Sequence, residues 1–111
     1  MGKIELLAPA GSVEAFYAGI DAGADAVYLG GTAFNARMFA ENMDLPAIKD
    51  LAFYAHERGV KVYVTLNTVV FASEWDNLKQ FIAELYEAKV DALIVQDFGV
   101  AHHVRSNYPD F

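Results

Sequence analysis

Residues 59–67, Gly-Val-Lys-Val-Tyr-Val-Thr-Leu-Asn, decide the fold, because this β-branched run predicts a strand directly after a helical pattern. Side chains alternate along a strand, so one face is apolar and the other is mixed. The mixed face carries Lys61, Tyr63, Thr65 and Asn67. Gly59 suits the left-handed position just past a helix end. A strand that lies between two helices is the repeating element of a parallel α/β sheet.

The composition is that of one core-forming domain spanning residues 1–111. The chain has 55% hydrophobic residues, a formal net charge of −7 and no cysteine. Without cysteine, disulfides, thiolate zinc sites and cluster ligation are excluded within these residues, and we expect no cofactor held by this chain. We see no secretion signal and no membrane-spanning segment, which predicts a cytoplasmic protein without a membrane partner. The acidic balance argues against nucleic-acid binding by this chain alone.

Four strand-helix units follow one another along the chain. The strands are predicted at residues 4–8, 24–29, 59–67 and 92–95, and the helices at 13–22, after a cap at Asp44, after a cap at Ser73, and at 98–106. An internal echo relates Ala-Gly-Ala-Asp-Ala-Val at residues 22–27 to Ala-Lys-Val-Asp-Ala-Leu at residues 88–93. Right-handed crossovers then place the four strands side by side and parallel.

The mixed face of the third strand distinguishes two α/β architectures. An open doubly wound sheet needs apolar residues on both faces, whereas a barrel strand can turn polar residues to the lumen. The sequence therefore predicts a parallel (β/α)4 half of a TIM-like barrel rather than an open sheet. The predicted inner face consists of Glu5, Leu7, Tyr28, Gly30, Lys61, Tyr63, Thr65, Asn67, Ile94 and Gln96. Within it we expect an ion pair between Glu5 and Lys61.

A half barrel leaves two strand edges unpaired, which natural proteins cover. We therefore expect a homo-oligomer that hides the inner face, or a longer chain that supplies the remainder of the barrel.

The reactive end of a barrel is the carboxyl end of its strands, where we predict a substrate-binding rim. The predicted rim residues are Ser12, Gly30, Gly31, Asn35, Arg37, Thr65, Asn67 and Gln96. Their amide, hydroxyl and guanidinium groups suit a carboxylate or phosphate on a small molecule. The alternative is that Ser12 and Asp97 only cap helices and that Asn67 and Gln96 only satisfy loop backbone. No nucleophile with an adjacent base and no metal constellation is evident, so the catalytic residues are left unassigned.

Five motifs in order resemble the N-terminal part of the collagenase-like peptidase family U32. They are Leu-Ala-Pro-Ala-Gly-Ser at 7–12, Gly-Ala-Asp-Ala-Val-Tyr-Leu-Gly at 23–30, Phe-Asn-Ala-Arg at 34–37, the run from Ala55 to Asn67, and Ala-Leu-Ile-Val-Gln-Asp at 92–97. The resemblance implies a barrel-like catalytic domain, and a peptidase of unassigned catalytic type. Other members are implicated in hydroxylating RNA bases or a quinone precursor, with an iron–sulfur cluster.

This chain departs from the family pattern in two ways. It lacks the family's cysteine-bearing signature, and Lys89 stands where a glycine is expected before the fourth strand. The leading hypothesis is thus a fragment of a peptidase, inactive alone, whose complete form takes a small-molecule, peptide or RNA substrate. The alternatives are part of an iron–sulfur hydroxylase, and a non-catalytic module for assembly or small-anion binding.

Overall fold

A computed structural model describes residues 5–10, 12–29, 45–66, 75–95 and 97–111. Within these ranges four strands alternate with four helices, as predicted. The elements are β1 (Leu7–Ala10), α1 (Val13–Asp21), β2 (Ala26–Leu29), α2 (Leu45–Glu57), β3 (Lys61–Leu66), α3 (Trp75–Glu87), β4 (Ala92–Val95) and α4 (Phe98–Asn107). In this part of the chain, no helix is long and apolar enough to cross a bilayer.

The four strands form one parallel sheet in the order β1-β2-β3-β4. In the register, Tyr28 of β2 lies beside Tyr63 of β3, and Tyr63 lies beside Ala92 of β4. Because each strand pairs with the next one in the chain, the helices α1 to α3 are the crossover connections. This topology confirms the prediction of a parallel α/β half-barrel.

The two faces of the sheet differ in burial as the alternation of β3 predicts. Val62, Val64 and Leu66 are buried against the helices, whereas Lys61 is exposed and Tyr63 and Thr65 are half-buried. The same open face carries Leu7 of β1, Tyr28 of β2 and Ile94 of β4, none of which is buried. Three other predicted members of this face, Gly30, Asn67 and Gln96, lie outside the described residues. The described members confirm a half-barrel with an open inner face.

The core lies between the other face of the sheet and the helices. Phe16 of α1, Ile82 of α3 and Leu85 of α3 are fully buried, and α2 contributes Ile48, Leu51 and Ala55. Burying one such large side chain contributes about 1.5–3 kcal/mol to folding. Apolar residues at helical spacing thus form the face by which these helices pack on the sheet.

Three helix-to-strand turns share one backbone conformation. Gly23, Gly59 and Lys89 have φ angles of +98°, +71° and +71°, which is the left-handed region. Gly59 was predicted there, and Lys89 occupies the same conformation with a side chain. Among the described residues, Lys89 is the single non-glycine with positive φ.

The bounds of three strands differ from the prediction. β3 begins at Lys61, two residues later than expected. β1 extends through Pro9 and Ala10, because these residues pair with Tyr28 and Leu29 of β2. Proline is tolerated there because β1 lies at the edge of the described sheet, where its outer N–H groups face no strand among the described residues. β2 begins two residues later than expected, since Asp25 is held in the turn before it.

Candidate functional site

Two of the predicted rim residues lie in the described part of the chain, and each makes a backbone hydrogen bond. The Ser12 hydroxyl accepts from the Ala15 N–H at 3.0 Å and caps α1. The Thr65 hydroxyl donates to the Leu29 carbonyl at 3.0 Å, between β3 and β2. The other predicted rim residues lie outside the described residues: Gly30, Gly31, Asn35, Arg37, Asn67 and Gln96.

After these bonds are made, the Ser12 hydroxyl can still donate a hydrogen bond and the Thr65 hydroxyl can still accept one. Ser12 uses a lone pair on the helix and keeps its proton to donate, and its side chain is exposed. Thr65 uses its proton on a carbonyl and keeps its lone pairs to accept. The rim therefore offers one donor and one acceptor from described hydroxyls. Their role in binding a substrate stays a prediction.

At the end of β4, the structure shows an exposed aromatic side chain that the sequence reasoning missed. Phe98 is 91% exposed, and it is the first residue of α4. Asp97 before it caps this helix by accepting from the Val100 N–H at 3.1 Å, so the capping alternative for Asp97 is the one that the structure supports. The sequence position could have indicated this residue, because Phe98 lies two residues after the predicted rim residue Gln96. An exposed ring at a barrel rim can stack on a planar substrate.

At the opposite end of the sheet, where the strands begin, Asp25 and Asp91 each make the same pair of hydrogen bonds to the backbone of a neighbouring segment. We call this pair of hydrogen bonds a clasp. Asp25 accepts from the Leu6 N–H at 2.8 Å through its carboxylate, while its own N–H donates to the Leu6 carbonyl at 2.8 Å. Asp91 repeats this with Val62, at 2.7 Å and 2.8 Å. Both carboxylates thus join the start of one strand to the strand beside it. Asp25 and Asp91 thus stabilise the end of the sheet at which the strands begin, which is the stability end of a barrel.

A histidine pairs with one of these carboxylates. The His56 Nε2 lies 2.8 Å from the Asp91 carboxylate, and both side chains are about one-third exposed, at 35% and 31%. His56 is in the last turn of α2, where a basic side chain also interacts favourably with the helix dipole. The pairing depends on how α2 packs relative to β4, so the sequence alone gave no signal for it.

The inner face corrects one predicted contact. Glu5 accepts a hydrogen bond from the Tyr63 hydroxyl at 3.0 Å, and the expected ion pair between Glu5 and Lys61 is not formed. Tyr63 lies one inner-face position further along β3, and its rigid ring brings the hydroxyl to Glu5 with little loss of side-chain entropy. Burial, followed by the hydrogen bond to Glu5, raises the pKa of Tyr63 above its ordinary value.

The residues of this chain do not fit an iron–sulfur cluster. Cysteine thiolates are the usual ligands of such clusters, and the sequence contains none. In the described ranges, no group of three or more histidine, aspartate or glutamate side chains could hold a metal ion.

The fold and the rim define a class of protein: one half of a parallel β/α barrel, open on its inner face, with hydroxyl and aromatic groups at the carboxyl ends of its strands. Residues 11–111 match peptidase family U32. The chain belongs to this family, which confirms the resemblance seen in its motifs.

The curated relatives carry names from two kinds of chemistry. The chain is 45% identical over 98 residues to the 23S rRNA 5-hydroxycytidine C2501 synthase of Escherichia coli, covering 88% of this chain and 15% of that protein. It is 37% identical over 95 residues to tRNA hydroxylation protein P1 of Bacillus subtilis, covering 86% and 22%. It is 35% identical over 98 residues to a collagenase of Porphyromonas gingivalis, covering 87% and 24%.

The chain thus spans less than a quarter of the length of each of these three relatives. No solved structure matches it.

Proposed function

We propose that this chain forms the first half of the barrel in an RNA-hydroxylating member of family U32, where its rim helps to hold the target base. The observation that carries the proposal is the 45% identity over 98 residues to the rRNA synthase. The similarity to the collagenase is lower, at 35% over the same length. The tRNA hydroxylation protein of Bacillus subtilis, at 37%, adds a second relative with a related name.

The geometry gives the peptidase hypothesis less support than the hydroxylase hypothesis. A nucleophilic peptidase needs a hydroxyl or thiol within hydrogen-bond reach of a base. The Ser12 hydroxyl is used as a helix cap at the carboxyl end of β1. His56 and Asp91 form a base-and-orienter pair, but this pair lies at the other end of the sheet, where β4 begins. The described part of the chain therefore separates these groups instead of assembling them.

The role we propose for the rim concerns the base rather than the phosphate backbone. With a net charge of −7, this chain has no excess of cations to neutralise phosphates, so other parts of the enzyme would hold the RNA strand. An unstacked base is recognised by aromatic stacking and by hydrogen bonds to its edges. Phe98 is free to stack, and Ser12 and Thr65 supply a donor and an acceptor. Asn35, Arg37, Asn67 and Gln96 complete the proposed set.

A chimera tests the proposal with the chain as it exists. The matched segment of the E. coli rRNA synthase is replaced by the corresponding residues of this chain, and the chimera is expressed in cells that lack the synthase. We expect 5-hydroxycytidine to return to the 23S rRNA, measured by mass spectrometry of digested rRNA. A Phe98→Ala version of the chimera should hydroxylate about 5- to 160-fold less, because base-aromatic stacking contributes about 1–3 kcal/mol.

A second chimera provides the control. The same residues of this chain replace the matched segment of the Porphyromonas collagenase, and collagen cleavage is measured. If this chimera cleaves collagen while a folded rRNA-synthase chimera leaves the rRNA unmodified, the hydroxylase proposal is wrong and the peptidase hypothesis replaces it. For the Phe98→Ala version of the rRNA-synthase chimera, Phe53→Ala is the matched aromatic control, because Phe53 is 65% exposed on α2 and away from the rim.

A further inference from the structure

A side-chain hydrogen bond crosses the inner face of the sheet from β3 to the start of β1. The Tyr63 hydroxyl donates to the Glu5 carboxylate at 3.0 Å. Tyr63 lies beside Tyr28 of β2. Glu5 precedes Leu7 by two residues, and Leu7 lies beside Ala26 of β2. The two ends of the bond therefore lie on opposite sides of β2, one nearer the rim than Ala26 and one further from it. The path between them passes over Ala26.

The burial of Ala26 agrees with this path. Ala26 lies beside Lys61 in the register, so it belongs to the inner face of the sheet. It is nevertheless fully buried, although it is not part of the hydrophobic core on the helix side. Ala92, which flanks Tyr63 on its β4 side, is only half-buried. The Tyr63 ring is thus turned over β2 towards the strand starts, and the small side chain of Ala26 makes room for it.

The direction of the Tyr63 ring leaves space on the side of the rim. Thr65 is the next inner-face residue of β3 towards the rim, and two strand residues span about 6.6 Å. Its hydroxyl is held against the sheet by the hydrogen bond to the Leu29 carbonyl. Because Tyr63 points away from the rim, its ring closes the space below Thr65 without filling it.

We propose that Tyr63, held over Ala26 by Glu5, is the floor of the substrate site and sets the depth to which the target base enters the barrel. This inference rests on the proposed function, because it takes a base as the occupant. Tyr63 is then a positioning residue that keeps the base at the level of the Thr65 hydroxyl. Glu5 acts through Tyr63, because its carboxylate engages the tyrosine hydroxyl and fixes the ring. The arrangement involves β1, β2 and β3 alone, so it is the same whichever strands continue the sheet.

RNA binding by the rRNA-synthase chimera described above tests this role. Two RNA hairpins are compared that differ only in cytidine or adenosine at the target position, and the ratio of their Kd values is measured. We expect the wild-type chimera to bind the cytidine hairpin at least about tenfold more tightly, because the second ring of adenine meets the Tyr63 ring. Tyr63→Ala removes the floor and should reduce this ratio to about threefold or less. Tyr63→Phe keeps the ring and should hold the ratio within about twofold of the wild-type value.

Lys61→Ala is the matched control, since Lys61 is exposed on the same face of β3 and lies one inner-face position further from the rim. Its ratio should equal that of the wild-type chimera. A ratio of two Kd values does not depend on the fraction of folded protein, so a purely structural role of Tyr63 would leave it unchanged. An unchanged ratio in Tyr63→Ala, with rRNA still hydroxylated by the wild-type chimera, would overturn this inference alone. A folded wild-type chimera that leaves the rRNA unmodified would overturn the proposed function and this inference with it.

Thiol labelling of the 111-residue chain tests the floor without RNA. The chain has no native cysteine, so Ala26→Cys introduces a single thiol under the Tyr63 ring, and Ala92→Cys introduces the matched thiol on its other side. We expect Ala26→Cys to react with a maleimide at least about tenfold more slowly than Ala92→Cys. Adding Tyr63→Ala should bring the two rates within about threefold of each other. Equal rates with Tyr63 in place would overturn the floor, whatever the chimeras bind.

Discussion

Replacing Lys89 with glycine is expected to stabilise the fold by about 0.5–1 kcal/mol. Lys89 holds a φ of +71° in the turn before β4, where a residue with a Cβ costs about 1–2 kcal/mol. Glycine removes this cost, but its more flexible unfolded chain offsets about 0.4–1 kcal/mol of the gain. The Lys89 side chain is exposed, so little packing is lost.

The assay is urea unfolding followed by circular dichroism, at one fixed protein concentration because any association would contribute to stability. Gly59→Lys is the reciprocal variant, since Gly59 has the same φ of +71° and no atom within 4 Å of the position that its Cβ would take. It should lose a similar amount of stability. Lys49→Gly, on the helix α2, should lose about 1 kcal/mol. A Lys89→Gly variant no more stable than wild type would refute the reasoning.

Three further predictions concern the clasp, a helix cap and the inner face. Asp91→Ala removes the acceptor of two hydrogen bonds and should lower the free energy of unfolding by about 2 kcal/mol in urea titrations, with Asp50→Ala, at an exposed position of α2, nearly neutral. Ser12→Ala should cost about 1 kcal/mol in the same assay, and Ser12→Gly only a few tenths. Because the pKa of Tyr63 is raised in the folded state, the unfolded state loses the Tyr63 hydroxyl proton at lower pH than the folded state does. The contribution of Tyr63 to the free energy of unfolding is therefore intact below pH 10 and falls as the pH rises further. Tyr63→Phe should make that alkaline fall shallower, and an unchanged pH profile would contradict the assignment.

The sequence predicted the fold where local signals agree. β4 has the predicted bounds, because Ala92 to Val95 is a short apolar run between polar residues. Gly59 was placed in the left-handed region because a helical pattern ends directly before it. β1 was misplaced because proline usually ends a strand. An edge strand escapes that rule, and whether a strand lies at the edge is a property of the whole sheet.

The side-chain partners were beyond the sequence, because they depend on register and helix packing. Glu5 was expected to meet Lys61 by charge, and it meets Tyr63 instead. His56 and Asp91 are far apart in the chain, and only the packing of α2 brings them together. The substrate-binding rim stays a prediction from the strand ends, and of its residues Ser12 and Thr65 lie within the described part. Phe98 was missed because an aromatic residue at the start of a helix is more often packed than exposed.

The two ends of the sheet use their polar groups differently, and this difference indicates where chemistry can occur. At the strand starts, the Asp25 and Asp91 carboxylates are already bonded to backbone N–H groups, and Asp91 also holds His56. Using such a carboxylate as a base would remove a bond that holds two strands together. At the strand ends, the Ser12 and Thr65 hydroxyls each keep bonding capacity after their structural bond is made. A substrate could engage that capacity without breaking the fold, and this is the physical reason for proposing the rim, and not the strand starts, as the substrate-binding end.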